Sequence, residues 1–546
     1  MLAMIAFFLA AAAVVAVPQP PGHEFIFGHA KLIGALAQKL PPRLHPQTYG
    51  LILQQKYGLS KAFYVDLWPF SPPWLIVTDP VLADQVSVKP SLPKFGQLKA
   101  ILRPYIGVNN LVVQEGHEWK RWRTLFNPAF SAGALQQYVP ALVDICRSFC
   151  DTLSNYARSG ECFQLEPLAV NLTVEIIGHI ILGSSFATSP DGKDYAKTLR
   201  DQVHWVAAGS DPGFAQLKNL NPWRAFKMRL NERSMDRAIK AVVLDRWTQI
   251  RDQSASASAS AAAAATASIE KPKHAIDLAL SSYANDKPAA ATLDERFLRV
   301  LVDQMKTFIF AGHDTSSGTL CYAYWLLARH PRWLSAVRHE LSAVLGPDAA
   351  ARIAAQPALL NDLTIVAAVV KETLRLFPPA SSVRTGTTTA PPIVDPETGA
   401  TYPTDGFMVM NATFSLHRDP AYFPDPHAFR PERWMRSGRG GAREAEHGGA
   451  ALPEPEKAHQ HAWRAFEVGP RNCIGQELAV MEIKLILALT LGRFDIAPSY
   501  DAKREGGDED GGGQFEYLGA PAYPVLLGTA KPNGGMPVRV VESLAL

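Results

Sequence analysis

Of the five cysteines in this 546-residue chain, Cys473 has the surroundings of a metal ligand. It stands in Phe466-Glu467-Val468-Gly469-Pro470-Arg471-Asn472-Cys473-Ile474-Gly475, two residues after an arginine and directly before an amphipathic helical pattern. At ordinary residue frequencies Phe-x-x-Gly-x-Arg-x-Cys-x-Gly arises on the order of once in ten million start positions. A lone cysteine is ordinarily an inert core residue, but the flanking glycines and arginine point to a thiolate held in a tight loop. Cys146, Cys150, Cys162 and Cys321 form no Cys-x-x-Cys pair, and an odd, sparse set argues against disulfides and for a reducing compartment. Cys146 and Cys150 share a helix face and read as structural.

Three further groups could do chemistry. Ala311-Gly312-His313-Asp314-Thr315-Ser316 puts a glycine, an acid and two hydroxyls inside an apolar helical pattern, which costs helix propensity and desolvation. One account is a hydroxyl bonding back to a carbonyl. The other is that Ala311-Gly312 lets a large flat group approach the backbone while Asp314 and Thr315 relay protons. Glu372 and Arg375, three apart, share a helix face and can pair; Arg433, in Phe429-Arg430-Pro431-Glu432-Arg433-Trp434, supplies a second cation, giving a buried network that locks geometry. In Trp119-Lys120-Arg121-Trp122-Arg123, the indole N–H of Trp119 and the guanidinium of Arg123 can both donate to a carboxylate.

The elements that position these groups make a mainly α fold with small β-sheets. The longest helix starts at the capping-box sequence Thr292-Leu293-Asp294-Glu295 and runs to about His330, before Pro331. Being apolar on much of its circumference, it crosses the middle of a large core. Phe63-Tyr64-Val65-Asp66-Leu67 and Trp74-Leu75-Ile76-Val77 suit a small sheet. Residues 24–546 read as one catalytic domain, with surface insertions at about 253–268, 437–449 and 505–513. A net charge of +3 is too small to imply a nucleic-acid partner. Residues 1–17 are apolar, and the proline-rich segment 18–23 ends the run abruptly. A helix of that length reaches about 25 Å, close to the thinner endoplasmic-reticulum membrane. Without a basic n-region the run reads as an uncleaved anchor rather than a cleaved signal, and Lys31, Lys39 and Arg43 beyond it place the C-terminal side in the cytosol.

Together these stretches resemble the cytochrome P-450 family of haem-thiolate monooxygenases, in the order Trp-x-x-x-Arg, Ala-Gly-x-Asp-Thr, Glu-x-x-Arg, the Pro-Glu-Arg segment and the cysteine loop. The resemblance covers nearly the whole chain, including the anchor and Pro-Pro-Gly hinge of microsomal members. It implies haem b between the long helix and the cysteine loop with its following helix. Cys473 would be the axial ligand of the haem iron, its pKa lowered by N–H groups at the helix start from Gly475 onward. Phe466 would pack beside the sulfur, and Gly469 and Gly475 would let the loop turn under the ring. Arg471, Trp119 and Arg123 would bind the propionates, with Arg384 a further candidate. Glu372, Arg375 and Arg433 would form the triad that holds the loop, while Asp314 and Thr315 would deliver protons. One departure is Ala465, where many members have proline.

The resemblance also implies O2 as co-substrate and electrons from NADPH through a membrane-bound cytochrome P-450 reductase, with Lys120, Arg121 and Arg464 as candidate basic contacts. Substrate contacts are expected from Ile101 to Val112, Val203 to Trp223, Phe308 to Thr315, Ser381 to Val383, and a late turn at Leu518 to Ala520. These are mostly apolar and imply a hydrophobic substrate reached from the membrane side. The flank Trp463-Arg464-Ala465-Phe466 and the run Ile474 to Ala479 look like filamentous-fungal members, many of which tailor polyketides or terpenoids. A fatty-acid or alkane hydroxylase is the enzymatic alternative. A haem-thiolate isomerase or sensor that does not activate oxygen is another, disfavoured because it needs no acid–alcohol pair.

Overall fold

The computed structural model describes residues 18–184, 190–207, 221–259, 274–288, 290–435, 461–500 and 515–543. The expected anchor at 1–17, the insertions at 437–449 and 505–513, and residues 260–268 of the insertion expected at 253–268 lie outside these residues.

The fold is built around the helix Glu295–Arg329, which has 35 residues. Its buried positions include Leu301, Met305, Ile309, Leu320 and Leu326 on one side and Phe310, Tyr322 and Trp325 on others, so its middle is enclosed almost all round, as its apolar circumference requires. The start differs from expectation. Asp294, not Thr292, is the N-cap, its Oδ1 accepting from the Phe297 N–H at 2.7 Å. A carboxylate meets the helix N-terminus more favourably than a hydroxyl, and Lys287 and Tyr283 also donate to its Oδ2.

The helix Leu165–Leu182 packs along this central helix, and Gly312 is the close-approach point. A Cβ there would sit 2.7 Å from Ile177 Cγ1. Of the two accounts the sequence left open for this stretch, one had a flat ligand approach Ala311-Gly312; in the structure Gly312 packs against Ile177 of the neighbouring helix. Among the described residues Leu165–Leu182 is also the one helix long and apolar enough to cross a membrane, and it is 67% buried as a core element.

The sequence Ser-Ala-Ser-Ala, read as the start of a loop, instead continues the helix Pro222–Ala259 as far as Ala259. Alanine's helix propensity prevails there without an apolar stripe. The main sheet has the order Ala62–Val65, Trp74–Val77, Met408–Asn411, Ser382–Thr385. Phe63 pairs with Ile76 antiparallel, Ile76 with Met410 in parallel, and Met410 with Val383 antiparallel. The proline segment lies against this sheet: the Tyr64 N–H donates to Pro18 O at 2.8 Å, and His29 Nε2 bonds to Pro20 O at 2.9 Å. Pro18 and Pro20 are therefore tied to the domain.

Substituting Gly312→Ala is expected to cost about 1–3 kcal/mol by overpacking the two helices, measured by thermal unfolding. Ile177→Ala in the same chain should recover part of it. A Gly312→Ala protein as stable as the wild type would contradict the close approach.

Candidate active site

The carboxylate of Glu372, at the C-terminal end of the helix Thr364–Leu376, is fully buried and fully used. Arg375 donates to it bidentately, Nη2 to Oε1 at 2.8 Å and Nε to Oε2 at 2.9 Å. The Arg430 N–H and Trp434 Nε1 add bonds of 2.9 Å each, and Arg433 Nε stands 3.4 Å from Oε1. The two arginines also donate to carbonyls: Arg375 to His417, Pro426 and Ala428, and Arg433 to Pro424 and Asp425. The three predicted residues thus meet, with Trp434 and the Arg430 N–H completing the shell.

His417, unremarked in the sequence, carries this network to the cysteine loop. Its Nδ1–H donates to Arg375 O at 3.1 Å and its Nε2 accepts the Arg464 N–H at 2.8 Å, which fixes the neutral tautomer. Burial, with Arg375 adjacent, pushes its pKa down to about 3. Arg464 is buried and pairs with Asp84 at 2.7 Å and Glu467 at 2.8 Å, so it is no surface contact for a partner, contrary to expectation.

From Arg464 the loop turns through Glu467, which holds a left-handed φ of 58°. Gly469 follows at φ 89°, where a Cβ would be 2.3 Å from Ser87 O; no other residue fits. The Cys473 N–H closes the loop on Phe466 O at 2.9 Å, and Phe466 packs edge-on against Trp463 at 5.8 Å. Gly475 has an ordinary φ of −89°, so it does not serve the turn as expected. A Cβ there would stand 3.9 Å from Cys473 Sγ, an ordinary contact distance, so the position does not require glycine sterically. It caps the helix Gln476–Thr490.

Cys473 is the one exposed cysteine of the five. Protein surrounds its thiol on several sides, and that burial pushes its pKa up; the Gly475 N–H and Arg123 pull it down without prevailing. The expected lowering by the helix start is therefore present but outweighed. Cys146, Cys150 and Cys321 are buried, in line with structural roles, and burial pushes Cys150 up to about 11.

On the central helix, Ala311 is exposed and Thr315, one turn on, is half-buried, while Phe308 and Phe310 beside them are buried. The two mark an uncovered stripe in the otherwise largely buried middle of the helix. The Thr315 hydroxyl donates to Ala311 O at 2.9 Å. The Asp314 carboxylate does not reach it. Asp314 Oδ2 accepts the Thr529 N–H at 2.7 Å, at the turn between the strands Pro524–Leu527 and Thr529–Pro532. This Leu527–Thr529 turn is the late turn beside the acid. The expected one, Leu518 to Ala520, lines a separate cavity of about 270 Å³ with Arg329, Phe377 and Arg418.

The basic groups collect at another edge. Arg384, on the strand Ser382–Thr385, is fully buried; its Nη1 reaches Leu92 O at 3.4 Å, while Nε and Nη2 have no partner. Burial, with Arg384 and Arg471 close by, pushes the half-buried Lys94 down to about 7; sequence reasoning missed Lys94, which carries no motif. Arg471 pairs with Glu115 at 3.0 Å, donates to Gln114 O at 2.8 Å and lies 4.4 Å over the Trp119 ring. Arg123 donates to Asn472 O at 2.7 Å and Asn472 Oδ1 at 3.0 Å, bracing the residue before the cysteine.

The family model "Cytochrome P450" matches residues 18–511. The chain is 36% identical to cytochrome P450 monooxygenase acrF of Aspergillus aculeatus, over 92% of this chain and 98% of the relative. It is 32% identical to cytochrome P450 monooxygenase polC of Polytolypa hystricis, over 96% and 89%. The crystal structure of the cytochrome P450DA heme domain superposes with a TM-score of 0.69 at 19% identity, covering 96% of this chain and 98% of that one. The chain belongs to the cytochrome P450 family and is a monooxygenase.

A cytochrome P450 implies haem, and the residues present fit it. A fully buried guanidinium with two unpartnered nitrogens calls for an anion, and a carboxylate-bearing ring edge supplies one. Cys473, in the loop shaped by Gly469, and Ala311, uncovered on the central helix, are the residues that would hold and contact the group.

Because His417 is neutral when folded and protonates near 6.5 when unfolded, the unfolded state binds the extra proton below that pH. Its stabilising share is present above 6.5 and is lost as pH falls toward 3, by up to about 1.4 kcal/mol per pH unit. Urea unfolding between pH 7 and 4 should show a shallower loss for His417→Gln, which starts less stable; parallel slopes would contradict the assignment.

Proposed function

We propose that this monooxygenase inserts one oxygen atom of O2 into a hydrophobic small molecule, as a tailoring step in polyketide or terpenoid secondary metabolism. The observation that carries this reading is the near full-length likeness to two fungal cytochrome P450 monooxygenases. The aromatic surroundings of the uncovered stripe, with Tyr105 stacked on Phe310 at 4.7 Å, support an apolar ligand. Haem, when bound through Cys473, supplies oxygen activation, with the thiolate pushing electron density to the iron.

The chain's residues do the remainder. Phe466 shields the sulfur; Gly469 sets the loop's path, and Gly475 caps the helix that follows. Arg384, with Arg471, Trp119, Arg123 and Lys94, forms the basic edge that holds the propionates. Arg384 carries most of that task, since Arg471 and Arg123 are already engaged with Glu115 and Asn472. Glu372, Arg375 and Arg433 keep the loop in register. Thr315 presents a hydroxyl on the uncovered stripe and Asp314 moves protons to it.

Electrons come from NADPH through a cytochrome P450 reductase docking on the cysteine side, where Lys120 and Arg121 are exposed. Residues 1–17 anchor the enzyme in the endoplasmic-reticulum membrane with the catalytic domain in the cytosol.

Comparative metabolite profiling of a strain lacking the gene tests the reading. It should accumulate an apolar polyketide or terpenoid one oxygen poorer than the wild-type product. A change confined to fatty-acid or alkane oxidation would contradict it.

A further inference from the structure

Asp314 is turned away from the hydroxyl that it is proposed to serve, and the group it faces is a buried cation. Lys531, on the strand Thr529–Pro532, is 1% exposed. Its ammonium has three partners: Ser317 Oγ at 2.6 Å, Glu166 Oε1 at 3.1 Å and Asp314 Oδ1 at 3.3 Å. The hydroxyl takes a hydrogen bond, and the two carboxylates stand within ion-pair distance. The Asp314 and Glu166 carboxylates outweigh burial and raise the Lys531 pKa, so the group is charged. Thr529 closes the other side of Asp314, its N–H donating to Oδ2 and its Oγ1 to the Asp314 carbonyl at 3.3 Å. Gly528 makes room for this, because a Cβ there would stand 2.7 Å from Asp314 Oδ2.

Asp314 must leave this position to reach Thr315. Its departure would strand a buried ammonium, which is among the costliest states a protein interior can hold. Glu166 removes that obstacle. It lies in the first turn of the helix Leu165–Leu182, its side chain 12% exposed, and it contacts Lys531 independently of Asp314. The ammonium therefore keeps one carboxylate whichever way Asp314 points.

We propose that Lys531 and Glu166 are positioning residues for proton delivery: Lys531 holds the Asp314 carboxylate against the Leu527–Thr529 turn, and Glu166 keeps Lys531 paired while Asp314 turns to Thr315. The proposal rests on the reading of Asp314 and Thr315 as the proton-delivering pair. It adds a specific asymmetry: removing Glu166 hinders Asp314 only while Lys531 is charged and in place.

The test uses the haem-loaded enzyme with reductase and its substrate, reading hydrogen peroxide released per NADPH consumed. D314N should raise the peroxide share, which checks the underlying reading separately. E166Q should also raise it, by roughly tenfold, the order expected when a buried cation loses one charged partner. K531R should resemble the wild type, and E166Q should add nothing in a K531M background. A separate readout is thermal unfolding of E166Q, D314N and the double variant. Losing both counter-ions of one ammonium should lower Tm by more than the sum of the single losses. If D314N uncouples while E166Q does not, or if the E166Q effect persists in K531M, the positioning role is overturned and the Asp314 reading stands. Additive Tm losses overturn it as well. Unchanged coupling in D314N overturns both.

Discussion

The structure depends on one buried ion pair. Glu372 and Arg375 are both fully buried, and a charge pair taken wholly out of water is tolerable only when every remaining lone pair and proton is matched. Here they are matched by groups distant in sequence: Trp434 and the Arg430 N–H on the acid, and the carbonyls of His417, Pro426 and Ala428 on the base. The pair therefore dictates where residues 417–434 must lie. Removing either charge would leave the other buried and uncompensated, at about 3–5 kcal/mol.

That constraint reaches the thiol through a short series of bonds. His417 links Arg375 O to the Arg464 N–H; Arg464 binds Asp84 and Glu467; the Glu467 N–H returns to Arg464 O; and the Cys473 N–H closes on Phe466 O. Glu467 holds its left-handed backbone because both ends of the residue are tied, its carboxylate to Arg464 and its N–H to the Arg464 carbonyl. The result is a thiol that is exposed yet fixed, whose protein surroundings alone favour the protonated form.

Much of this was legible in the sequence because the informative spacings are short. Glu-x-x-Arg, Ala-Gly-x-Asp-Thr and the cysteine loop each lie within ten residues, and the central helix announces itself by length and by Pro331. What was not legible depends on partners far along the chain. Gly312 looked like a ligand contact because nothing local shows Ile177 opposite it. The orientation of Asp314 is set by Thr529, 215 residues later, and Lys531 sits in no motif. The late turn was misplaced from 527–529 to 518–520 because both are Gly-containing turns, and only the register of the hairpin, with Leu527 opposite Thr529, separates them. Arg464 read as a surface cation because charge in a sequence does not reveal burial. His417 and Lys94 carry no spacing signal; they matter only through what surrounds them.

The central claim is that Cys473, held by this network, is the thiolate on the haem iron. The most direct measurement is the absorption spectrum of the reduced, carbon-monoxide-treated holoenzyme, compared between the wild type and Cys473→Ser with haem content measured in parallel. Thiolate ligation predicts a strongly red-shifted Soret band in the wild type and its loss in the variant. The same red-shifted band in a haem-containing Cys473→Ser protein would contradict the account.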